Sequence, residues 1–301
     1  MDPLKAEKLA RHPAAALQEL RAVVPHVLAA APRVAILIPC YNEAQTVAGV
    51  VTAFQAVLPS ATVYVYDSNS TDDTSVRARA AGALVRTESL PGKGHVIRRM
   101  FADIDADLYV LVDGDGTHDA ASAPKMIDRL LDDDLDMVNA ARDRAGDAYH
   151  RLLTGIVSYI FGSRLTDMQC GYRVLSRRFA KSFPGLTQGF AIETELTVHA
   201  LELRLPIAEV HAPYVSRPPG AASKRGTTLW PILVLIKDEW PLPLFSLIAA
   251  IFAAASLLPA AVPATGLMIL AFLSLASGLI LDAVTRGRRE LKRLHYLSIS
   301  K

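Results

Sequence analysis

Strand-like runs that alternate with helix-like stretches restrict the fold of this chain more than any other feature. The predicted strands lie at residues 34–38, 62–66, 83–86 and 108–112, and the predicted helices at residues 46–58, 74–81 and 95–104. Apolar runs rich in β-branched residues are typical of strands buried on both faces. Their alternation with helices over short loops predicts an α/β domain with a mostly parallel sheet covered by helices on both faces.

Acidic residues lie within five positions of the ends of three predicted strands. Glu43 comes after the first strand, Asp67 after the second, and Asp113 and Asp115 after the run at 108–112. In open parallel sheets, ligands bind beyond the carboxyl ends of the strands. We therefore expect these four side chains to lie at one edge of the sheet and to form a binding site.

The sequence Asp113-Gly114-Asp115 has the chemistry of a metal and nucleotide site. Two carboxylates separated by one residue can serve a divalent metal and a nucleotide ribose together, and glycine lets the backbone approach a ligand closely. Hard oxygen ligands favour Mg²⁺ or Mn²⁺, which neutralise a diphosphate. The alternative for this segment alone is a solvated Asp-Gly turn.

Two further polar loops have both a functional and a purely structural interpretation. Asp67 can accept hydrogen bonds from a base or ribose, or it can form an Asx turn in which Ser70 or Thr71 caps the next helix. Lys93, in a glycine-rich loop before a helix, can hold phosphate oxygens or can be an ordinary solvent-facing lysine.

The last quarter of the chain predicts a membrane anchor. Between residues 241 and 284 the only charged residue is Asp282, and the apolar segments 244–261 and 265–281 are each near the ~20 residues that cross a bilayer. Basic residues precede and follow the pair, so both ends are expected on the cytoplasmic side. The alternative is a buried hairpin in the core of a soluble protein.

The remaining composition excludes other classes of protein. The net charge of +2 over 301 residues argues against a nucleic-acid-binding protein. Cys40 and Cys170 have no paired spacing and are expected to be free thiols. Residues 4–30 have a helical composition, and the N-terminal segment lacks the apolar core of a signal peptide.

Taken in order, these motifs resemble the motif set of family 2 glycosyltransferases with the GT-A fold. The early motifs are residues 38–43 (IPCYNE), 67–74 (DSNSTDDT), 92–94 (GKG) and 113–115 (DGD). The later ones, at residues 166–173, 176–177, 190–195, 209–214, 217 and 223–224, resemble dolichyl-phosphate mannose synthases and bacterial polyprenyl-phosphate glycosyltransferases. The resemblance covers residues 34–237.

The resemblance implies a role for each matching residue. Nucleotide-sugar binding is implied for Pro39, Tyr41, Glu43, Asp67 and Asp113; metal binding for Asp115 and Asp113; catalytic roles for Asp115, Arg173, Glu193 and Lys93; and acceptor-phosphate binding for Arg173, Arg217 and Lys224. The relatives often have a glutamine metal ligand where this chain has Thr117, so His118 or water is expected to replace it.

The resemblance also implies the fold and the domains. The fold is a GT-A Rossmann-like sheet with a C-terminal two-helix transmembrane hairpin. The division is an N-terminal helical segment at 1–32, a catalytic domain at 33–228, an interfacial helix at 229–241, the hairpin at 242–284 and a basic cytoplasmic tail at 285–301. The expected location is the inner (cytoplasmic) membrane, with the catalytic domain and both termini on the cytoplasmic side.

The implied reaction is inverting transfer of a sugar from a UDP- or GDP-linked donor to a polyprenyl (undecaprenyl-type) phosphate. The expected partners are these two substrates, a divalent metal, membrane lipid and, by analogy, a second copy of the chain. One alternative is a hydroxyl acceptor, for which Glu193 or Glu195 would serve as general base. Another is a non-enzymatic nucleotide-sugar sensor, against which the retained Asp113, Asp115 and Arg173 argue.

Overall fold

The computed structural model describes residues 31–141, 148–162, 165–185, 192–215, 230–257 and 263–300. The predicted N-terminal helical segment lies outside the described residues except for its last two positions. Arg217 and Lys224, the expected acceptor-phosphate residues, also lie outside them.

A seven-stranded mixed sheet forms the centre of the domain. Its strands are β1 (Val34–Cys40), β2 (Thr62–Asp67), β3 (Leu84–Thr87), β4 (Leu108–Leu111), β5 (Met137–Ala141), β6 (Arg173–Ser176) and β7 (Ile207–His211). The spatial order is β3-β2-β1-β4-β6-β5-β7. All neighbouring strands are parallel except that β6 runs antiparallel to both β4 and β5. The predicted α/β class with a mixed, mostly parallel sheet is confirmed.

Helices cover both faces of this sheet. In the α/β domain they are α1 (Val47–Val57), α2 (Thr74–Ala80), α3 (Lys93–Asp103), α4 (Ser122–Asp132), α5 (Ala148–Phe161), α6 (Arg177–Ser182) and α7 (Ile192–Glu202). Because successive side chains of a strand point to opposite faces, β1 contributes to two cores. Ile36 and Ile38 pack with Phe54 of α1, whereas Leu37 packs with Met100 of α3.

The four predicted strands are confirmed with ends that shift by one or two residues, and the largest shift is at Pro39. The proline does not end β1, which continues to Cys40 and pairs Pro39 with Tyr66 of β2. On the other side, β4 ends at Leu111 opposite Leu37. The proline therefore lies beyond that ladder, where its missing N–H removes no strand-to-strand hydrogen bond.

Three helices follow the α/β domain. They are α8 (Trp230–Glu239), α9 (Pro241–Ala255) and α10 (Ala264–Ser298). Within the described residues, only α10 is both long and apolar enough to cross a membrane. The 15 residues of α9 extend about 22 Å, which is short of the ~30 Å hydrocarbon thickness.

Helix α10 does not end where its apolar part ends. It continues to Ser298, and its last turns pack on the α/β domain. Tyr296 donates a hydrogen bond to Asp136 Oδ2 at 2.8 Å, and Arg178 Nε of α6 donates to Ile299 O at 2.8 Å. The segment expected to be a separate basic tail is therefore mainly a helix docked on the domain, because its side chains find partners there.

Candidate active site

The acidic residues predicted to meet do lie at the carboxyl edge of the parallel strands. Cys40 at the end of β1 is opposite Asp67 at the end of β2. Leu37 is opposite Leu111 of β4, so Asp113 lies two residues beyond the paired part of that strand. This arrangement places the segments after three parallel strands side by side.

Lys93, the first residue of α3, lies between two carboxylates. Its ammonium contacts Asp113 Oδ1 and lies 2.6 Å from Glu193 Oε1 of α7. Burial alone would lower the pKa of Lys93, but the charges of Asp113 and Glu193 outweigh it and raise that pKa. Burial would likewise raise the pKa of Asp113, but the charge of Lys93 holds it well below its usual range. The three groups form a charged cluster with little exposure to solvent.

Glu43 lies beside this cluster in a more apolar position. Its Oε2 atom and Cys40 Sγ both lie so close to Gly114 that a β-carbon at position 114 would overlap them. Burial, together with the negative charge of Asp113, raises the pKa of Glu43 to about 8. Glu43 Oε2 is also buried without a hydrogen-bond partner in the described part of the chain. Glycine at position 114 is thus required by the close approach of Glu43.

Asp115 is buried on the far side of Gly114. Its Oδ1 atom accepts hydrogen bonds from Thr117 N at 3.1 Å and from Thr117 Oγ1 at 2.7 Å. Thr117 therefore fixes the Asp115 carboxylate. His118 Nε2 is 3.9 Å from Asp113 Oδ2, and its ring packs against Tyr172.

The chemistry of this donor set suits a hard divalent cation. Asp113, Asp115 and Glu43 offer only carboxylate oxygens. Among the described residues, no group of three or more His, Cys, Asp or Glu side chains is arranged to enclose a metal. This combination fits Mg²⁺, which proteins commonly hold through one or two carboxylates together with substrate phosphates and water.

The loop after β2 contains the Asp67 turn of the structural interpretation, but neither Ser70 nor Thr71 caps α2, because its N-cap residue is Asp73 and has no side-chain cap hydrogen bond. Asp67 Oδ1 accepts from Ser70 N at 2.9 Å, and Oδ2 accepts from Ser75 Oγ at 2.6 Å. Asn42 Oδ1 accepts from Thr71 N at 2.8 Å, which ties this loop to the loop after β1. Asp67 thus orders the loop that borders the site.

Two other predicted nucleotide-binding residues differ in exposure. Pro39 is buried within β1. Tyr41, directly after the strand, exposes 54% of its surface. The ring of Tyr41 is therefore available to stack on a planar ligand, whereas Pro39 shapes the strand beneath it.

Arg173 is buried, which contradicts the expectation that it binds a substrate phosphate. Its side chain is completely shielded from solvent at the start of β6. Its Nε donates to Cys170 O, and its Nη2 donates to Met168 O, Glu193 O and Thr197 Oγ1 at 2.7–2.9 Å. The guanidinium cannot reach a substrate phosphate, because backbone carbonyls surround it and it has no exposure to solvent. Arg173 thus joins the loop before β6 to α7.

Two residues that the sequence did not single out also shape the site. Thr46 Oγ1 donates to Gly114 O at 2.7 Å and fixes the Asp-Gly-Asp turn. Gly171 lies against the carboxylate of Asp113. Gly171 could have been found from the sequence, because a glycine in a polar motif just before a strand often marks a place where another group approaches the backbone closely. Thr46 gave no such signal, since it looked like an ordinary residue at the start of a helix.

Comparison with known proteins assigns this architecture to a family. Residues 35–182 match the model of the protein family described as "Glycosyl transferase family 2". Protein RfbJ of Shigella flexneri is 52% identical over 114 residues, which cover 38% of this chain and 88% of that protein. Glycosyltransferase AglJ of Haloferax volcanii is 34% identical over 197 residues, covering 62% of this chain and 65% of AglJ, slightly under two thirds of its length.

Solved structures share the fold. A crystal structure of glucosyl-3-phosphoglycerate synthase from Mycobacterium tuberculosis in complex with Mn²⁺, UDP-glucose and phosphoglyceric acid has a TM-score of 0.54. Its sequence is 23% identical, and the match covers 62% of this chain and 73% of that one. The sheet, the carboxylates at its edge and these matches agree, and the chain belongs to glycosyl transferase family 2.

Proposed function

We propose that this glycosyltransferase transfers one sugar, with inversion, from a UDP- or GDP-linked donor to a polyprenyl phosphate at the cytoplasmic face of a membrane. The observation that carries the proposal is α10, which has the length and apolarity of a membrane span and continues without a break onto the catalytic domain. An active site held in this way stays near the bilayer surface, where the phosphate of a polyprenyl lipid emerges.

The donor side of the site is the Asp113-Gly-Asp115 turn. The Mycobacterium tuberculosis enzyme that shares the fold was crystallised with Mn²⁺ and UDP-glucose, and the oxygen-only donor set here fits the same kind of cation. Asp115 would hold Mg²⁺ or Mn²⁺, with Asp113 beside it and donor phosphates and water completing the coordination. When bound, the cation supplies charge stabilisation for the leaving diphosphate.

Lys93 is placed to act between donor and acceptor. Its ammonium contacts Asp113 on the donor side and Glu193 on the other side. A buried cation that is already positioned before substrates bind stabilises developing negative charge without reorganisation. We assign Lys93 this role toward the leaving diphosphate or the incoming phosphate.

The position of Glu193 favours a phosphate acceptor over a hydroxyl acceptor. A hydroxyl group needs a general base with an oxygen available to accept its proton. The ion pair commits one of the two carboxylate oxygens of Glu193 to the Lys93 ammonium, 2.6 Å away, and leaves only the second oxygen for that task. A phosphate monoester oxygen is already anionic near neutral pH and can attack the anomeric carbon without such a base.

Helix α5 adds an apolar surface next to the proposed membrane anchor. Leu152 and Tyr159, one face of the helix, expose 48% and 76% of their surfaces. The Tyr159 ring packs edge-on against Trp240, the residue that precedes α9, with centroids 5.3 Å apart. Aromatic residues at a membrane boundary are favoured in the headgroup region, so we include this face in the surface that meets lipid.

The test is a transfer assay with the purified full-length protein in detergent. A panel of UDP- and GDP-sugars is offered with undecaprenyl phosphate and Mn²⁺ or Mg²⁺, and EDTA and Asp115→Ala serve as negative controls. Asp128→Ala, which removes an exposed carboxylate of α4, is the matched control and is expected to keep wild-type activity.

A metal-dependent glycolipid that Asp115→Ala fails to make would support the proposal and identify the sugar. If donors bind and undecaprenyl phosphate is not glycosylated, the acceptor assignment is wrong. A product formed on a lipid hydroxyl would instead return Glu193 to the role of base.

A further inference from the structure

A buried ionic cluster joins α10 to the catalytic domain. Glu202 in the last turn of α7 has a completely buried side chain, and Glu239 at the end of α8 is 5% exposed. Lys292 Nζ lies 2.5 Å from Glu202 Oε2, and Arg288 and Arg289 lie 2.6 and 3.0 Å from the two oxygens of Glu239. All three cations belong to α10.

The cluster resists separation of the helices that form it. The two arginines also approach Glu202 Oε1, at 3.5 and 3.7 Å, so both carboxylates share the same cations. Breaking a buried ion pair leaves an uncompensated charge away from water, which is far more unfavourable than loss of a surface pair. Helices α7 and α10 are therefore expected to move as one body.

The other end of α7 lies in the active site. Glu193, near its first turn, contacts Lys93, and its backbone carbonyl accepts a hydrogen bond from Arg173. Glu193 and Glu202 are nine residues apart on this helix, so α7 runs about 14 Å from the Lys93 contact to the ionic cluster. A rotation or shift of α10 that moved Glu202 would also move Glu193.

We propose that Glu202 is a positioning residue for the active site: through α7 it fixes the Lys93–Glu193 pair relative to α10. Glu202 contacts no substrate in this arrangement. It acts because one rigid helix carries the active-site carboxylate at one end and the joint to α10 at the other. The activity arm of its test rests on the proposed function, whereas the structural arm does not.

The test compares Glu202→Gln with the full-length wild-type protein in detergent. Gln has the shape of Glu without the charge, so the variant loosens the joint with little change in packing. We expect kcat for sugar transfer to fall about tenfold. The donor KM should change little, because the contacts described for Glu202 are with α10 and not with the loops after β1, β2 and β4. Hydrogen–deuterium exchange of the α7 amides is expected to rise. Glu202→Asp keeps the charge, so it should recover part of the kcat and part of the exchange protection of α7.

Arg286→Ala is the matched control. Arg286 is also a cation of α10, but its side chain is 75% exposed and pairs with Asp282 of the same helix. Its loss should leave kcat and α7 exchange at wild-type values. If Glu202→Gln does not fold, Lys292→Met provides the same test, because Glu202 then keeps its two arginines.

Each outcome has a clear meaning. Wild-type kcat and wild-type α7 exchange in a folded Glu202→Gln protein would overturn the positioning role. An equal fall in Arg286→Ala would overturn it as well, since the effect would then be one of charge on α10 in general. If the wild type glycosylates no prenyl phosphate, the proposed acceptor is wrong, and the exchange measurement still decides whether Glu202 holds α7.

Discussion

Gly171 lies directly against the carboxylate of Asp113, and a β-carbon at position 171 would overlap Asp113 Oδ2. Asp113 cannot simply move away, because its other oxygen contacts Lys93. We therefore expect Gly171→Ala to displace Asp113 and to lower kcat/KM for the donor by about 10- to 100-fold. Steady-state kinetics with varied donor, together with nucleotide affinity by calorimetry, measures the effect.

Gly155→Ala is the control for this prediction. A β-carbon at position 155, on α5, would meet nothing within 4 Å. Activity should stay at the wild-type level, and stability should rise by about 0.5–1 kcal/mol because alanine is the better helix former. Equal losses of activity in both variants would show that contact with Asp113 is not the cause.

The burial of Arg173 predicts that even lysine cannot replace it. The guanidinium donates from Nε and Nη2 to several acceptors at once, and a lysine ammonium cannot reproduce this fork. We expect Arg173→Lys to lower the free energy of unfolding by about 3 kcal/mol or more. Thermal unfolding in detergent measures the change.

Arg129→Lys is the comparison for Arg173→Lys. Arg129 is on the surface of α4, where it pairs with Asp133 four residues later. The same substitution there should change stability by less than about 0.5 kcal/mol. If Arg173→Lys is equally mild, the buried hydrogen-bond network does not hold the fold together.

Lys93 should be required for turnover. Removing its charge takes away the cation that faces both Asp113 and Glu193, so Lys93→Met is expected to lower kcat by about 100-fold or more. Lys125→Met, on the exposed surface of α4, should keep wild-type kcat. Turnover of Lys93→Met close to that of Lys125→Met would remove Lys93 from the mechanism.

His199 makes the stability of the fold dependent on pH. Its ring is buried against Phe179 and Phe183, and burial, aided by the charge of Lys292, lowers its pKa to about 3. The unfolded chain takes up the proton near pH 6.5 and the folded chain only near pH 3, so stability is lost as pH falls through that range. At pH 4.5 the loss is about 3 kcal/mol relative to pH 7.5.

Unfolding curves of wild type and His199→Gln between pH 7.5 and 4.5 test this dependence. The stability advantage of the wild type should shrink as the pH falls. Ser182→Ala removes the hydroxyl that lies 3.1 Å from His199 Nε2 and keeps the titrating ring, so the wild type should differ from it similarly at each pH. A constant difference between wild type and His199→Gln would contradict the prediction.

Local patterns were enough to predict the first half of the sheet and the place of the acidic residues. Apolar β-branched runs mark β1, β2 and β4, and parallel strands bring their carboxyl ends to one edge. Glu43, Asp113 and Asp115 therefore meet as expected. Arg173 lies on β6, which is antiparallel to its neighbour β4, so the rule for the carboxyl ends of parallel strands did not predict its position.

The contacts that sequence reasoning missed are between residues far apart in the chain. Lys93 and Glu193 are 100 positions apart, and Glu202 and Lys292 are 90 apart. Neither pair belongs to a local motif. Lys292 follows an apolar segment, so its charge was explained by membrane topology and not by a contact with Glu202. For the same reason Arg173 was assigned to a phosphate, since its burial depends on the packing of α7.

The continuity of α10 also limits how this protein can be divided. A shortened protein that stopped before Trp230 would keep every strand of the sheet, yet the three described cations that face Glu202 would be gone. Asp136 would lose the hydroxyl of Tyr296 as well. A truncation before Trp230 would thus expose buried carboxylates on the surface of the α/β domain, because α10 is one continuous helix whose last turns form part of that domain's wall.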